Sequence, residues 1–224
     1  TGTSNTRARG DLQPRLRRTC MTRRVRSLSA AMVVLAALAV GVAIGAVAAR
    51  SGDEKHAAPA NDSADAGFVR DMSTHHAQAV SMADAIRTRT DDPLLASLAT
   101  DIVLTQQSQI GRFSGWLDQW GLPVTSTDAP MSWASGHTAM DMEMMPGMAT
   151  NDEIRQLDSL PIEDAEILFL TLMIRHHRGG VEMADTVLTM TQRDEVRRIA
   201  SSIVASQQSE IEAMQSMLDE RTTS

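Results

Sequence analysis

The sequence predicts an all-α protein: an antiparallel four-helix bundle of two duplicated helical hairpins, preceded by an N-terminal apolar helix. Aromatic residues make up only 3% of the 224 residues and Tyr is absent, although sandwich and barrel strands rely on aromatic and β-branched side chains. In the region after residue 64, a shift of 101 positions aligns one segment with a second copy over about fifty positions. Within each copy, apolar residues recur at the three- and four-residue steps typical of one helix face.

The region before residue 65 is expected to contain a basic head (1–27), an apolar span (28–49) and a flexible, Pro-containing linker (50–64). At about 1.5 Å per residue, the apolar span is long enough to cross roughly 30 Å of hydrocarbon. Arginines before it predict a single-pass anchor in the cell membrane, with the remainder of the chain extracytoplasmic. Cleavage of this span as a signal would instead give a secreted protein. Residues 1–20 are an over-extended start if translation begins at Met21.

The charge distribution argues against a nucleic-acid partner. Residues 1–50 contain nine Arg and one acid, so the rest of the chain holds 12 basic residues against 27 acidic ones. An acidic body repels phosphate, and a basic head beside an apolar span is expected for membrane topology alone. The single cysteine, Cys20, excludes an intramolecular disulfide framework and a Cys-based zinc or iron–sulfur site.

The bundle is predicted over residues 65–220. Its first hairpin, residues 65–121, contains one helix that ends before the sequence Asp-Asp-Pro. A second helix begins with Pro93 at its first position and ends at Trp120, before a glycine.

The second hairpin, residues 161–220, is predicted to contain a helix from Pro161 to about Gln192 and another from about Asp194 to Leu218. Between the hairpins lies a Met-rich connection, residues 122–160. A short helix, Asp152 to Ser159, is expected at its end, because Thr150 and Glu153 have the spacing of a capping box.

Each hairpin places two adjacent histidines and two methionines on the apolar face of its first helix. The candidate ligands are Met72, His75, His76 and Met82, and their counterparts Met173, His176, His177 and Met183. A single buried His is usually bonded to a carbonyl or carboxylate, and a Met stripe usually fills core space. Burying four imidazoles, however, costs desolvation free energy without a packing gain over Leu, which favours a metal or proton-transfer role.

The ligand types indicate a soft metal ion. Di-iron bundles use Glu-x-x-His motifs, and this sequence contains none. Thioethers with imidazoles favour Cu(I), with Ag(I) as its mimic, although imidazole also suits Cu(II) and Zn(II).

The connection contains a second group of candidate ligands in a stretch interrupted by Gly and Pro. These residues are Met131, His137, Met140, Met142, Met144, Met145 and Met148. Because a loop has little core to fill, and thioethers do not form disulfides in an oxidising compartment, we predict soft-metal capture here. The alternative is a hydrophobic lid that closes the end of the bundle.

Two further sets of polar residues lie on or near the histidine-bearing faces. The glutamines either hydrogen-bond the histidines or are ordinary polar residues at the helix seam: Gln106, Gln107, Gln207 and Gln208. Asp84 and Asp185 lie at the edge of the apolar stripe, as ordinary boundary residues do.

The repeated pattern Met-x-x-His-His followed by Met-Ala, at Met72–Ala83 and Met173–Ala184, resembles the bacterial domain-of-unknown-function 305 family over roughly residues 65–220. The resemblance implies a ferritin-like four-helix bundle that is exported or membrane-anchored. Some members of the family are described as periplasmic copper-binding proteins involved in copper resistance. Gly180 stands where the first copy has Ala79, and the pair Gly179-Gly180 is expected to loosen the helix locally.

These features together predict an extracytoplasmic Cu(I)- and Ag(I)-binding protein for metal sequestration, tolerance or delivery. Its partners would be the metal ion, the membrane through residues 28–49, and a protein that donates or accepts metal; catalysis is not required. Two alternatives remain: a ferritin-like, metal-dependent oxidase, and a helical scaffold whose buried histidines respond to pH.

Overall fold

The computed structural model of the chain describes residues 1–2, 57–134 and 144–223. The chain divides into two compact units, Thr1–Ala57 and Ala58–Ser224, and the helices described below belong to the second. Apart from residues 1–2, the predicted basic head lies outside the described residues, as do the predicted apolar span, His137, Met140 and Met142. Among the helices within the described ranges, none combines the length and the apolar character needed to cross a membrane.

The described part of the chain is helical and contains no strand, which confirms the all-α prediction for these residues. Four long helices and one short helix follow in the predicted order. They are α1 (Ala64–Arg87), α2 (Pro93–Gln119), α3 (Asn151–Ser159), α4 (Ile162–Met190) and α5 (Asp194–Thr223).

Local capping sets the helix starts that the sequence predicts. The side chain of Asp92 accepts hydrogen bonds from the first backbone N–H groups of α2, directly before Pro93. At α3, the Thr150 side chain accepts from the N–H of Glu153 while the Glu153 side chain accepts from the N–H of Thr150. The predicted capping box is therefore confirmed.

Helix α5 continues past its predicted end at Leu218 to Thr223. Arg221 holds the last turn: its guanidinium donates to Glu166 of α4 at 2.9 Å, and to Asp92 at the start of α2. The extension depends on these contacts with other helices, because the residues after Leu218 are polar and carry no apolar periodicity.

The long helices pack as two hairpins joined through their first members. Helix α2 packs along α1, α5 packs along α4, and α1 and α4 contact each other, while the short α3 lies against both α1 and α4. The interior has two apolar clusters. Core 1 includes Phe68 and Met72 of α1 and Met183 of α4, whereas core 2 includes Met82 of α1 and Met173 of α4.

Candidate metal centre

The first histidines of the two pairs meet where α1 and α4 are in contact. The ring centroids of His75 and His176 are 3.7 Å apart, and both side chains are completely buried. Each lies on the apolar face of its helix, where the repeated sequence pattern places it. The contact between α1 and α4 thus brings the two copies of the motif together.

The second histidine of each pair turns toward the other helix of its own hairpin. His76 contacts α2, where its Nε2 lies 2.6 Å from Oε1 of Gln109. His177 contacts α5, where its Nε2 lies 2.7 Å from Oε2 of Glu210. The ring centroids of the two histidines in a pair are 6.5 Å apart in α1 and 6.4 Å apart in α4. The imidazoles of His76 and His177 are also fully buried.

Gln109 and Glu210 are partners that the sequence reasoning missed. They are related by the 101-residue shift and lie three positions after Gln106 and Gln207, on the same helix face. The repeat alignment was the signal that could have identified them, because it aligns two polar residues on the apolar side of α2 and α5.

The glutamines proposed from the sequence do not make these hydrogen bonds. Gln106 and Gln207 are buried and have side-chain atoms without a partner, while Gln107 and Gln208 are exposed. Asp84 is exposed and pairs with Arg87, and Asp185 is exposed too, as expected for boundary positions.

A backbone carbonyl of the connection completes the surroundings of His75. Its Nε2 lies 3.0 Å from the carbonyl oxygen of Pro146. A carbonyl oxygen only accepts, so this nitrogen carries the proton and Nδ1 holds the free lone pair. The sequence could not identify this partner, because any residue supplies a backbone carbonyl.

Five buried ring nitrogens of the cluster have no hydrogen-bond partner. They are Nδ1 of His75, His76 and His177, and both ring nitrogens of His176. An unsatisfied buried polar group of this kind costs about 1–3 kcal/mol. One nitrogen of neutral His176 carries a proton, so the five nitrogens leave at most four lone pairs. A metal ion can accept such lone pairs, which protein groups leave unused.

Burial favours the neutral, metal-binding form of His75, His76 and His176. Burial lowers the pKa of His75 to about 4 and that of His76 to about 3. Burial also lowers the pKa of His176 well below its ordinary value, and a positive charge on His75 would lower it further. At neutral pH, these rings therefore offer lone pairs with no proton to displace.

The four candidate methionines, at residues 72, 82, 173 and 183, are completely buried and lie on both sides of the histidines. Met72 and Met183 belong to core 1, and Met82 and Met173 belong to core 2. Along both α1 and α4, the histidines lie between these methionines. The thioethers thus flank the imidazoles in two groups instead of one.

The described part of the Met-rich connection is mostly packed against the helices. Met131 and Met145 are buried in core 1, Met148 packs against it half-buried, and Met144 is 46% exposed. The expectation that this loop has little core to fill is therefore wrong for Met131 and Met145, which fill core space as helical methionines do.

Glycines allow the 144–149 segment to lie directly on α4 beside the cluster. A Cβ atom on Gly179 would be 2.0 Å from the carbonyl oxygen of Pro146, and Gly147 adopts a positive φ of 74°. A Cβ atom on Gly180 would meet Oε1 of Gln207 at 2.4 Å. The Gly-Gly pair, expected to loosen α4, instead provides room for two close contacts.

Side chains from α1 and α4 hold the same segment. The amide of Gln78 donates to the carbonyl oxygen of Ala149 at 2.9 Å and accepts from its N–H at 2.7 Å. Arg175 donates to the carbonyl oxygen of Met148 and to Glu153 of α3. The hydrogen bond from Arg175 is also the main reason why the pKa of Glu153 falls to about 2.

Within residues 57–134 and 144–223, no three His, Cys, Asp or Glu side chains are grouped closely enough to hold a metal ion between them. Methionine thioethers are a further class of donor in this interior. The donors that lie close together here are imidazoles in pairs, with methionine on either side.

Fold and site together define an all-helical protein whose interior contains paired buried imidazoles between buried thioethers. The chain matches DUF305, a domain of unknown function, over residues 65–218. It belongs to this family, as its repeated His-His motif predicts.

Solved structures of the same family are similar to this chain over most of their length. A DUF305 protein of Streptomyces coelicolor, assigned as secreted, is 48% identical with a TM-score of 0.67, covering 73% of this chain and 96% of that one. A DUF305 fragment of Deinococcus radiodurans is 37% identical with a TM-score of 0.60, covering 70% and 96%.

The protein CopM, solved in a Cu(I)-bound form, is 25% identical with a TM-score of 0.56, covering 70% of this chain and 96% of CopM. It has also been solved in Cu(II)-bound and Ag-bound forms. An uncharacterised protein, L153 of Acanthamoeba polyphaga mimivirus, is 38% identical over 55 residues, which are 25% of this chain and 36% of the viral protein.

Proposed function

We propose that this chain is an extracytoplasmic copper-binding protein that holds Cu(I), and its mimic Ag(I), between α1 and α4 of a ferritin-like four-helix bundle. One observation carries the proposal: the histidine cluster contains completely buried imidazoles whose Nδ1 atoms have no partner in the protein. Retaining such nitrogens in a core costs stability unless a ligand uses them.

The donor set favours a soft ion. The imidazoles of His75, His76, His176 and His177 supply nitrogen, and the thioethers of Met72, Met82, Met173 and Met183 supply sulfur. Neutral thioether and imidazole donors suit Cu(I) better than hard divalent ions. The metal-bound forms of CopM, a family member with the same helical fold, support copper and silver as the cargo.

An extracytoplasmic location is consistent with the assignment of the Streptomyces coelicolor relative as secreted. We propose that residues 28–49 anchor the chain in the membrane or act as a cleaved signal. Methionine also suits this compartment, because thioethers remain available where thiols would oxidise.

The biological role follows from binding alone. A buried site retains its ion until a partner removes it, which suits sequestration, tolerance or delivery. In this proposal, the Met-rich connection captures the ion first. Met144, an exposed residue of the connection, follows His137, Met140 and Met142 within seven positions of the sequence.

A Cu(I) competition titration of the full chain in detergent, under reductant and against a chromophoric chelator, tests the proposal. Two variants are compared with the wild type. One carries four His→Leu changes at residues 75, 76, 176 and 177, and the other carries Met→Leu changes at residues 140, 142, 144, 145 and 148. Circular dichroism checks that each variant retains its helices.

Tight binding that is lost only in the histidine variant would support the site between α1 and α4. Tight binding that is lost only in the connection variant would move the function to the Met-rich segment. A wild type that binds neither Cu(I) nor Ag(I) would contradict the copper proposal. The pH-responsive scaffold would then be favoured, because the lowered pKa values of His75 and His76 do not depend on metal.

A further inference from the structure

The two hairpins differ at a position that touches the histidine cluster. Gln109 of α2 and Glu210 of α5 each follow their histidine by 33 residues. Each lies beside Nε2 of that histidine, at 2.6 Å from His76 and 2.7 Å from His177. The two halves therefore share one geometry but differ in chemistry, since one partner is a neutral amide and the other is a carboxylate.

The two partners constrain the imidazole proton differently. A carboxylate can only accept, so Glu210 requires the proton of His177 to be on Nε2. A side-chain amide can present either its oxygen or its NH2 group after a half-turn, so Gln109 is compatible with both tautomers of His76. In both histidines, Nδ1 is buried without a partner. It is available to an ion when Nε2 carries the proton, which Glu210 requires and Gln109 does not.

The partners also differ in charge. The Glu210 side chain is 20% exposed, and it brings a negative charge to the second half of the cluster. Gln109 is 8% exposed and brings none. A carboxylate that accepts from the far nitrogen of a ligating histidine increases the basicity of the ring and orients it toward the metal.

We propose that Glu210 is a positioning residue that keeps Nδ1 of His177 free for the ion and makes the second hairpin the tighter half of the site, whereas Gln109 leaves His76 the weaker donor. This inference rests on the proposed function, because it ranks the donors of the copper site. The ranking predicts that the ions bind in two steps of unequal affinity, although the two sequence motifs are nearly the same.

The structure provides matched variants to test this ranking. E210Q replaces the carboxylate by the amide that the first hairpin already uses, and Q109E makes the reverse change. E212Q removes a carboxylate from an exposed position of α5 and controls for charge alone. Ag(I) competition titrations of the full chain should show the tightest step weakened about 10- to 100-fold in E210Q. Q109E should strengthen the weaker step, and E212Q should leave both steps unchanged.

Nuclear magnetic resonance of the metal-free protein provides a readout that a packing role would not change. Long-range ¹H–¹⁵N spectra distinguish the two tautomers of each imidazole. We expect His177 to be protonated at Nε2 alone in the wild type and to populate both tautomers in E210Q. In Q109E, His76 should become fixed with its proton on Nε2.

Specific outcomes would overturn the inference. If E210Q binds Ag(I) as tightly as the wild type, the ranking of the two hairpins is wrong. If E212Q weakens binding as much as E210Q does, the effect of Glu210 is one of general charge and not of position. A single His177 tautomer in E210Q would remove the positioning role. A wild type that binds no Ag(I) or Cu(I) would instead contradict the proposed function, and the ranking with it.

Discussion

Replacing His176 with Leu should make the metal-free protein more stable. The imidazole is completely buried, and neither of its ring nitrogens has a partner in good hydrogen-bond geometry, the backbone of His75 giving at most a weak contact. Each unsatisfied buried polar group costs about 1–3 kcal/mol, and Leu fills a similar volume without polar atoms. Loss of the ring contact with His75, at 3.7 Å between centroids, offsets part of the gain. We therefore expect H176L to raise the free energy of unfolding by about 1–3 kcal/mol without metal.

The matched control, H76L, should change stability much less than H176L does. His76 is equally buried, but its Nε2 lies 2.6 Å from Oε1 of Gln109. Removing the imidazole eliminates the unpartnered Nδ1 of His76 but leaves the buried amide of Gln109 without its partner. Each unsatisfied group costs about 1–3 kcal/mol, so the two effects should largely cancel. Two histidine positions of the site thus give substitutions with different effects on stability.

Urea unfolding of the full chain, followed by circular dichroism, measures both effects, first with a chelator and then with Ag(I). An ion present at 100 times its Kd should add about 2.7 kcal/mol to the wild type, and H176L should lose most of this increment. The reasoning would be refuted if H176L were as unstable as H76L in chelator. An unchanged Ag(I) increment in H176L would show that His176 is not a ligand.

Three further predictions concern pH, close packing and metal type. Without metal, the free energy of unfolding should fall as the pH drops from about 6.5 toward 4, by about 1.4 kcal/mol per pH unit for each of His75 and His76. Urea unfolding at a series of pH values measures this loss. Burial lowers the pKa of His75 to about 4 and of His76 to about 3, so the unfolded chain binds more protons in this range. In thermal melts, Gly179→Ala should destabilise by about 1–3 kcal/mol, because its Cβ would lie 2.0 Å from the Pro146 oxygen. At Gly111, an added Cβ atom would meet no atom within 4 Å, so Gly111→Ala should stabilise the protein by about 0.5–1 kcal/mol. Ag(I), unlike Mg²⁺, should raise the Tm.

Each of these predictions can fail on its own. Constant stability between pH 7 and pH 4 would mean that the folded protein takes up protons as readily as the unfolded chain. Equal effects of the two Gly→Ala changes would mean that the 144–149 segment is not held against α4. A rise in Tm with Mg²⁺ as large as that with Ag(I) would contradict a soft donor set.

Most of the helices could be predicted because their determinants are local. The cap at Asp92 and the capping box at Thr150 act within one turn, and the apolar period covers each long helix. The end of α5 could not be predicted in this way. Its last turn is held by Arg221 through partners on α4 and at the start of α2, which are distant in the sequence.

The site was only partly predictable, for a related reason. The spacing of the histidines places all four on apolar faces, and this follows from helix geometry alone. Which residue of α2 meets His76 depends on how the two helices are rotated about their axes, so the sequence suggested Gln106 where the structure has Gln109. The acceptor for His75 is the backbone carbonyl of Pro146, and no side-chain pattern identifies it.

The tautomers of the histidines imply that an ion can bind without breaking the protein's own hydrogen bonds. His75 and His177 each use Nε2 for a hydrogen bond and keep Nδ1 free, and His76 does the same when Gln109 presents its oxygen. An ion bound through Nδ1 therefore leaves the bond to Pro146 intact, and the 144–149 segment can stay in place. A preorganised site loses less free energy to ordering when it binds. Backbone amide hydrogen exchange in this segment should accordingly be no faster with Ag(I) bound than without it. Faster exchange would indicate that Nε2 of His75 is the ligand and that binding releases the segment.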